Sequence, residues 1–351
     1  MSDKVKYPSR YNTPKNPREL IVSNLRGFFL CPIITKLGEL GIINKMLEGP
    51  FAADSFNEVY NKKNFQYVLN YLDSLAIIEK IDDVKYQLTK TGKSVLRRWG
   101  SFAILYSYHE LVENMDSLLT VPDYPFPACD RRYNVIGSGL TNGRKFFPAG
   151  IKNLENCNVS SITDLCCGDG EFLLQFSEQH PSAKLNAVDL SSIAIQETRK
   201  KLNSYSKVAT FTETNALNVA DWAPNIPFSD SGHPVISMWY LIHEVSSNDP
   251  DKVIKFLKEI HTYAPTAHLL IGEIIRIDIS TLKTTSDSSI IPEFILFHDF
   301  SGQGVLTIEQ INYVFSNIPY TVKSLTEFDM VKTSENTEQP SALVVYLEPC
   351  N

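Results

Sequence analysis

The stretch that decides the fold is "SSITDLCCGDGEFLLQFSEQ", residues 160–179. An apolar run leads to Asp164, a short turn with two glycines follows, and apolar residues then recur at helical spacing. This order predicts a strand, a tight turn around Gly168 and Gly170, and a helix. Glycines in such a turn let backbone amides approach a ligand closely before the helix begins.

Strands and helices alternate after this stretch. The segments that read as further strands are "KLNAVDLS", "VATFTETNAL", "PVISMWYLIHEV" and "HLLIGEIIR", and the segments that read as helices between them are "IAIQETRKKL" and "PDKVIKFLKEIHTYA". This alternation predicts an α/β fold of the Rossmann-like kind, an open and largely parallel sheet with helices on both faces. Ligands bind such sheets at the carboxyl ends of the strands.

Polar side chains occupy three of these strand ends. The turn has the spacing G-x-G rather than the G-x-G-x-x-G of dinucleotide sites, and its acids would repel a pyrophosphate. The set suits a cation that bears a nucleoside. Asp164 can attract an amino-acid and sulfonium portion, Asp189 can accept hydrogen bonds from ribose hydroxyls, and Asn215 can meet the adenine edge.

The motifs "DLCCGDGEF", "AVDLS" and "TNAL", in that order and one per strand end, resemble the class I S-adenosylmethionine-dependent methyltransferases. The resemblance runs from about Asn158 to the end of the sequence. Cys166 departs from it, because a glycine is common at that position. The resemblance implies an enzyme of EC 2.1.1 that binds S-adenosylmethionine through Asp164, Cys166, Gly168, Gly170, Asp189, Leu190, Asn215 and Ala216.

The first hundred residues follow a different pattern. Short amphipathic helices precede a small hairpin around "DDVKYQL", an order typical of winged-helix domains. We therefore expect a winged-helix-like dimerisation domain at residues 1–100, a linker with pocket-covering helices at 101–157, and the methyltransferase domain at 158–351. The apolar helix around residues 20–30 and the resemblance together predict a homodimer.

Charge keeps a second class of function open. Lys and Arg outnumber Asp and Glu in residues 1–100, although the whole chain carries a net charge of −7. Lys90, Lys93, Arg97 and Arg98 would suit phosphates, so a DNA-binding regulator with a cofactor-sensing domain is an alternative. No aromatic or Asn/Gln-rich recognition helix accompanies these charges, and we expect no nucleic-acid partner.

Composition indicates an ordinary globular protein, with 43% hydrophobic and 21% charged residues. The first dozen residues contain no apolar core of a signal peptide, and no run approaches the roughly 18 apolar residues of a membrane span. The six cysteines lack C-x-x-C spacing. These features predict a cytoplasmic location, reduced thiols and no membrane partner.

Two residues lie where an acceptor substrate should meet the methyl group, one in the loop after the fourth predicted strand and one at the end of the fifth. His243 lies in "YLIHEV" and Glu273 in "IGEII". Together with the winged-helix pattern, they resemble the small-molecule O-methyltransferases, in which such a histidine removes a hydroxyl proton and the acid orients it. A metal-independent O-methyltransferase with His243 as the general base is therefore one alternative.

The segment "EFILFHDFSGQG" at residues 293–304 adds His298 and leads to the main prediction. Read with "YLIHEV", it resembles the nonheme-iron α-keto acid C-methyltransferases of the phenylpyruvate and 2-ketoarginine type. That resemblance implies a divalent metal, Fe(II), held by His243 and His298. It also implies methyl transfer to the β-carbon of a 2-oxo acid through an enolate that the metal stabilises. The plainer alternative makes His298 a half-buried histidine beside its own aspartate.

The remaining site residues follow from the same comparison. Glu244 is expected to accept a proton or anchor a water molecule, and Glu273 or Asp299 to orient the histidines. A guanidinium is the expected partner of a substrate carboxylate, and Arg131 is the candidate. Tyr240 is expected to form part of an apolar wall, with Asp299 also near the substrate.

Overall fold

The computed structural model describes residues 17–125, 129–227, 232–282, 291–332 and 337–350. The chain divides into an N-terminal unit that ends at Thr141 and a C-terminal unit that begins at Asn142. The domain boundaries expected at residues 100 and 157 stay a prediction.

The N-terminal unit combines helices with a small antiparallel sheet. Its helices are α1 (Pro17–Glu39), α2 (Ile42–Glu48), α3 (Lys62–Ser74), α4 (Lys90–Leu96), α5 (Trp99–Tyr106), α6 (His109–Glu113), α7 (Met115–Thr120) and α8 (Arg131–Asn142). Its strands are β1 (Phe51–Ala52), β2 (Ile78–Lys80) and β3 (Lys85–Leu88), in the order β1-β3-β2. Asp82 forms the β2–β3 turn, since its Oδ1 accepts hydrogen bonds from the backbone N–H groups of Val84 and Lys85 at 2.8 and 2.7 Å. This is the predicted winged-helix arrangement.

Helix α1 is longer and more exposed than the sequence pattern predicts. It runs for 23 residues with Pro32 inside it, and most of its apolar side chains are not covered within the unit. On length and composition alone it could cross a membrane, with a mean hydropathy of 1.4 over its most apolar window, a test that core helices and signal sequences also pass. One such helix is weak evidence for a membrane span, because polar and charged residues interrupt its apolar stretch. The cytoplasmic location stays a prediction.

The C-terminal unit is built on a mixed sheet. Its strands are β4 (Val159–Leu165), β5 (Lys184–Asp189), β6 (Ala209–Glu213), β7 (His233–Trp239), β8 (His268–Ile274), β9 (Tyr320–Phe328), β10 (Val331–Lys332), β11 (Glu338–Gln339) and β12 (Ala342–Pro349). Within the described part of the chain, the large sheet has the order β6-β5-β4-β7-β8-β12-β9, and β10 pairs with β11. The five strands from β4 to β8 are parallel to one another. Strand β12 runs antiparallel to both β8 and β9.

Helices cover both faces of the large sheet. They are α9 (Phe146–Asn153), α10 (Glu171–Gln179), α11 (Ser192–Ser204), α12 (Val219–Trp222), α13 (Ile242–Ser246), α14 (Pro250–Tyr263), α15 (Ile279–Leu282), α16 (Ile291–Ser301) and α17 (Ile308–Ser316). Alternate residues of β7 enter opposite cores: Val235 and Trp239 pack with α9 and α10, whereas Ile236 and Met238 pack with α14 and α17. The predicted α/β fold class is confirmed, with β9 and β12 as additions that the sequence pattern does not predict.

Candidate active site

The turn after β4 has a backbone with positive φ angles, a conformation that favours glycine. Cys166, Gly168 and Gly170 all have positive φ, at 57°, 58° and 75°. Glycine adopts this region freely, whereas a residue with a Cβ is strained there. Cys166, which stands where a glycine is common, therefore adopts a backbone conformation that glycine takes freely. The turn keeps its shape although the motif lacks that glycine.

Asp164 is buried at the end of β4, with 1% of its surface exposed. Ser237 of β7 donates a hydrogen bond from Oγ to Asp164 Oδ1 at 2.7 Å. Burial, reinforced by the charge of Asp189, raises the pKa of Asp164 to about 8. In the cofactor-free protein at neutral pH, Asp164 is therefore mostly a neutral acid, and its contact with a cation stays a prediction.

Asp189 links the turn to the end of β5. Its Oδ2 accepts a hydrogen bond from the backbone N–H of Gly168 at 3.1 Å, and its Oδ1 accepts one from Ser191 at 2.8 Å. Each carboxylate oxygen has two lone pairs, so these bonds leave acceptor capacity for ribose hydroxyls. Asp189 thus helps to shape the turn, and its contact with ribose hydroxyls stays a prediction.

Three further predicted cofactor residues lie on the same edge of the sheet. Leu190, directly after β5, is 65% exposed and offers an apolar surface. Asn215 follows β6, and its Oδ1 accepts a hydrogen bond from the backbone of Leu217 at 2.9 Å. Ala216 is buried and its carbonyl accepts a hydrogen bond from the indole of Trp222 at 2.8 Å. The structure brings all of these strand-end residues to the same end of the sheet as the turn.

His243 lies on α13 rather than in a loop or on an extended β7. Strand β7 ends at Trp239, and Tyr240 turns the chain with a φ of 57° while its backbone N–H donates to the carbonyl of Gly272 at 2.8 Å. The imidazole Nδ1 of His243 donates to Glu273 Oε1 at 2.9 Å, and its backbone N–H donates to Glu273 Oε2 at 3.2 Å. His243 and Glu273 are 4% and 2% exposed.

This pair fixes the state of the histidine. Because a carboxylate only accepts hydrogen bonds, Nδ1 carries a proton and Nε2 is the nitrogen left for chemistry. Burial acts to lower the pKa of His243, but the charge and hydrogen bond of Glu273 outweigh it, and the pKa of His243 is raised. The protonated imidazole that a general base becomes is thus stabilised by Glu273.

His298 lies next to His243 and belongs to α16. The two ring centroids are 4.7 Å apart with nearly perpendicular planes, and His298 is 3% exposed. Its Nδ1 donates to the carbonyl of Phe294 at 2.6 Å, and the Phe294 ring stacks on it with centroids 3.8 Å apart. Burial and the neighbouring His243 lower the pKa of His298 to about 4, so it is a neutral imidazole with an unprotonated Nε2.

The two imidazoles meet part of what a metal ion requires. Metal-binding histidines commonly donate their second ring N–H to a carboxylate or a backbone carbonyl, as His243 and His298 do. Among the described residues, however, no group of three or more His, Cys, Asp and Glu side chains could hold a metal ion. A metal there would depend on ligands from substrate or water.

The other predicted residues have different surroundings. Glu244 is half-buried beside His243, and within the described ranges its side chain forms no hydrogen bond or ion pair. Asp299 accepts hydrogen bonds from both terminal nitrogens of Arg276 at 2.9 Å and is about half exposed. Neighbouring helical positions point about 100° apart, so Asp299 does not share the direction of His298. Its role at the substrate stays a prediction.

Tyr240 and Arg131 belong to different units. The Tyr240 ring makes an edge contact with Phe146, with centroids 5.8 Å apart, and burial raises the pKa of its phenol. Arg131 is exposed at the start of α8 in the N-terminal unit. Both substrate roles stay predictions.

Two residues that shape the site carry no signal strong enough to single them out in the sequence. Ser237 is one small residue in a buried strand, and only the register of β7 against β4 sets it opposite Asp164. Phe294 precedes His298 by one helical turn, a spacing that could have suggested the contact once α16 was assigned.

Two family models match separate parts of the chain. The AprA winged helix domain matches residues 26–121, and a methyltransferase domain matches residues 162–262. The search of curated proteins finds no match.

Solved structures share the fold over nearly the whole chain. An O-methyltransferase family protein from Burkholderia thailandensis has a TM-score of 0.60 and 13% identity, and covers 96% of this chain and 99% of its own. Human N-acetylserotonin methyltransferase in complex with S-adenosylmethionine has a TM-score of 0.57 and 12% identity, with 97% and 99% covered. The mitomycin 7-O-methyltransferase MmcR has a TM-score of 0.57 and 12% identity, with 95% and 98% covered.

These findings confirm two predictions. The chain has a class I methyltransferase fold with an N-terminal winged-helix domain, and residues 162–262 form a methyltransferase domain. S-adenosylmethionine as the methyl donor stays a prediction.

Proposed function

We propose that the protein transfers the methyl group of S-adenosylmethionine to a hydroxyl oxygen of a small molecule. The observation that carries the proposal is the buried hydrogen bond from His243 Nδ1 to Glu273, which leaves Nε2 as a proton acceptor. A neutral imidazole held in this way can remove the hydroxyl proton as the oxygen attacks the methyl carbon. The carboxylate fixes the tautomer and stabilises the imidazolium that forms.

The names of the structural neighbours support the oxygen as the acceptor atom. MmcR is a 7-O-methyltransferase, and the Burkholderia thailandensis protein belongs to an O-methyltransferase family. At 12% and 13% identity these likenesses concern the fold, so the argument for this chain rests on the His243–Glu273 pair.

A second candidate, C-methylation of a 2-oxo acid, is favoured by one observation. His298 lies against His243, and both imidazoles keep Nε2 available because their Nδ1 atoms are already engaged. His243 and His298 would be the protein residues that hold a divalent metal such as Fe(II). Such a metal would act as a Lewis acid toward the keto oxygen of a 2-oxo acid.

Substitution of the two histidines separates the candidates. For O-methylation, His243→Ala should lower kcat about 10²–10⁴-fold, the usual contribution of a general base. His298→Ala should then leave kcat within about tenfold, and dialysis against a chelator should have no effect. The assay uses S-adenosylmethionine with a panel of hydroxylated aromatics and a panel of 2-oxo acids, and detects the gain of one methyl group by mass spectrometry.

Other outcomes point elsewhere. Loss of turnover in His298→Ala as well as in His243→Ala, chelator sensitivity and products from 2-oxo acids alone would replace the proposal with C-methylation. Full turnover in His243→Ala would contradict both candidates.

The pH profile provides an independent check. His243 must be neutral to accept a proton, so kcat/KM should fall as the pH drops through its raised pKa. Glu273→Gln removes the charge that stabilises the imidazolium and should move this acid limb to lower pH while lowering the maximal rate. An unmoved limb would mean that another group controls the rate.

A further inference from the structure

The turn that holds the cofactor is tied to α11 by two side chains that the proposed chemistry does not use. Thr198 donates a hydrogen bond from Oγ1 to the carbonyl of Gly168 at 2.8 Å. Lys201 Nζ contacts Asp169 Oδ2 at 2.5 Å and Glu171 Oε2 at 2.6 Å. One helical turn of α11 therefore reaches the middle of the cofactor turn and the first turn of α10.

The contacts of Lys201 are largely buried. Its side chain is 23% exposed, that of Asp169 is 9% exposed and that of Glu171 is 23% exposed. Within the described ranges, Lys201 is the only Lys or Arg that forms an ion pair with Asp169 or Glu171. Loss of its charge would leave two close carboxylates without their cation. Removal of one partner from a buried ion pair is strongly destabilising.

The same contacts control the backbone that faces the cofactor. Asp169 uses its other oxygen, Oδ1, to accept a hydrogen bond from the N–H of Glu171 at 3.2 Å, which sets the start of α10. A Cβ on Gly170 would lie 2.7 Å from Thr198 Cγ2, so α11 packs directly against the turn. Movement of Asp169 would therefore carry Gly168 and Gly170 with it.

We propose that Lys201, assisted by Thr198, is a positioning residue that holds the Cys166–Gly170 turn in the conformation that binds S-adenosylmethionine. The inference rests on the use of this cofactor in the proposed function. Because the turn meets the part that S-adenosylmethionine shares with S-adenosylhomocysteine, loss of the clamp should weaken both ligands by the same factor.

Comparing the two ligands distinguishes a positioning role of Lys201 from an electrostatic role. S-adenosylmethionine carries a sulfonium that S-adenosylhomocysteine lacks. A purely electrostatic role for Lys201 would make its removal favour the cationic ligand over the neutral one. A positioning role predicts equal weakening of both.

Calorimetric titration of the full-length protein tests the proposal without an acceptor substrate. Lys201→Met should raise the Kd of both ligands at least tenfold, and Lys201→Arg should stay within threefold of the wild type. In turnover assays Lys201→Met should raise the KM for S-adenosylmethionine while kcat at saturation stays within threefold. Lys200→Met is the matched control, since the Lys200 side chain is 80% exposed and only approaches Glu197 at 3.9 Å; it should bind like the wild type.

Thr198→Val provides a second measurement if Lys201→Met does not fold. It should raise both Kd values at least threefold, whereas Thr262→Val, which loses only a surface bond to the carbonyl of Lys258, should not change them. Unchanged Kd values in Lys201→Met or Thr198→Val, or a change confined to one ligand, would overturn the clamp. A wild-type protein that binds neither ligand would overturn the cofactor assignment itself.

Discussion

Asp164 shows how the surroundings of one residue set its charge. It is a carboxylic acid in a nearly closed site, and burial raises its pKa to about 8. A sulfonium or ammonium bound beside it would favour the carboxylate and lower that pKa. Cofactor binding beside Asp164, as predicted, would therefore be coupled near neutral pH to loss of a proton from this residue.

Binding of S-adenosylmethionine at pH 7 should release about one proton, because most Asp164 side chains are protonated beforehand. Calorimetry in buffers of different ionisation enthalpy measures this number directly. The release should be smaller for S-adenosylhomocysteine, which lacks the sulfonium, and absent in Asp164→Asn. A buffer-independent enthalpy in the wild type would mean that Asp164 does not ionise in the complex.

The sequence predicts which residues form the site better than it predicts their hydrogen-bond partners. Asp164, Asp189 and Glu273 lie at the ends of recognisable strands and His243 follows one, and the order of elements brings strand ends to one edge of a sheet. The bond from Ser237 to Asp164 could not be predicted in the same way, because it depends on the register between strands. That register is set by packing across the whole sheet.

The contact between α13 and the turn at residues 302–304 is the element-scale feature on which the histidine pair depends. The backbone N–H of Gly304 donates to the carbonyl of His243 at 3.0 Å, and Ser246 Oγ donates to the carbonyl of Gly304. A Cβ on Gly304 would lie 1.7 Å from the backbone nitrogen of Asn248. Only glycine lets the segment that follows α16 approach α13 this closely.

Gly304→Ala should separate these two segments and disturb both histidines. We expect turnover to fall at least tenfold and the Tm to fall by about 5 °C or more, as for a core clash. Gly302→Ala is the comparison: a Cβ there meets nothing within 4 Å, so only the strain of its φ of 71° applies, about 1 kcal/mol. Equal losses in the two variants would contradict the close-approach explanation.

At this scale the parallel strands were predictable and the later part of the sheet was not. Strands β4 to β8 alternate with helices and carry strong apolar runs, which is the pattern of an α/β sheet. Strands β9 and β12 pair directly with each other and interrupt that alternation. Helix α13 could not be predicted because "YLIHEV" continues the apolar run of β7 in the sequence. In the structure the strand ends where Tyr240 adopts a positive φ.

The whole molecule carries an apolar face on α1. Ile21, Leu25, Phe28 and Phe29 are 58%, 55%, 69% and 57% exposed and lie at helical spacing on one side. A contiguous exposed apolar face of this kind marks an interaction surface. The predicted homodimer through the N-terminal domain would cover it.

The double substitution of Leu25→Glu and Phe28→Glu should convert a dimer into a monomer in light scattering coupled to gel filtration, because it buries like charges in the interface. Tyr60→Glu, at a position that is 95% exposed, is the control and should leave the mass unchanged. A monomeric wild type would contradict the dimer. Vesicle binding that the double substitution abolishes would assign the face to a lipid surface instead.

The antiparallel insertion of β12 between β8 and β9 also affects how the protein is made. Residues 342–349 are synthesised about 70 residues after β8, and until they leave the ribosome β8 has one edge unpaired and β9 has no neighbour in the sheet. Unpaired edges of apolar strands promote association with other chains. The strand that presents Glu273 to His243 thus gains its second neighbour in the sheet only after about 70 further residues have been synthesised.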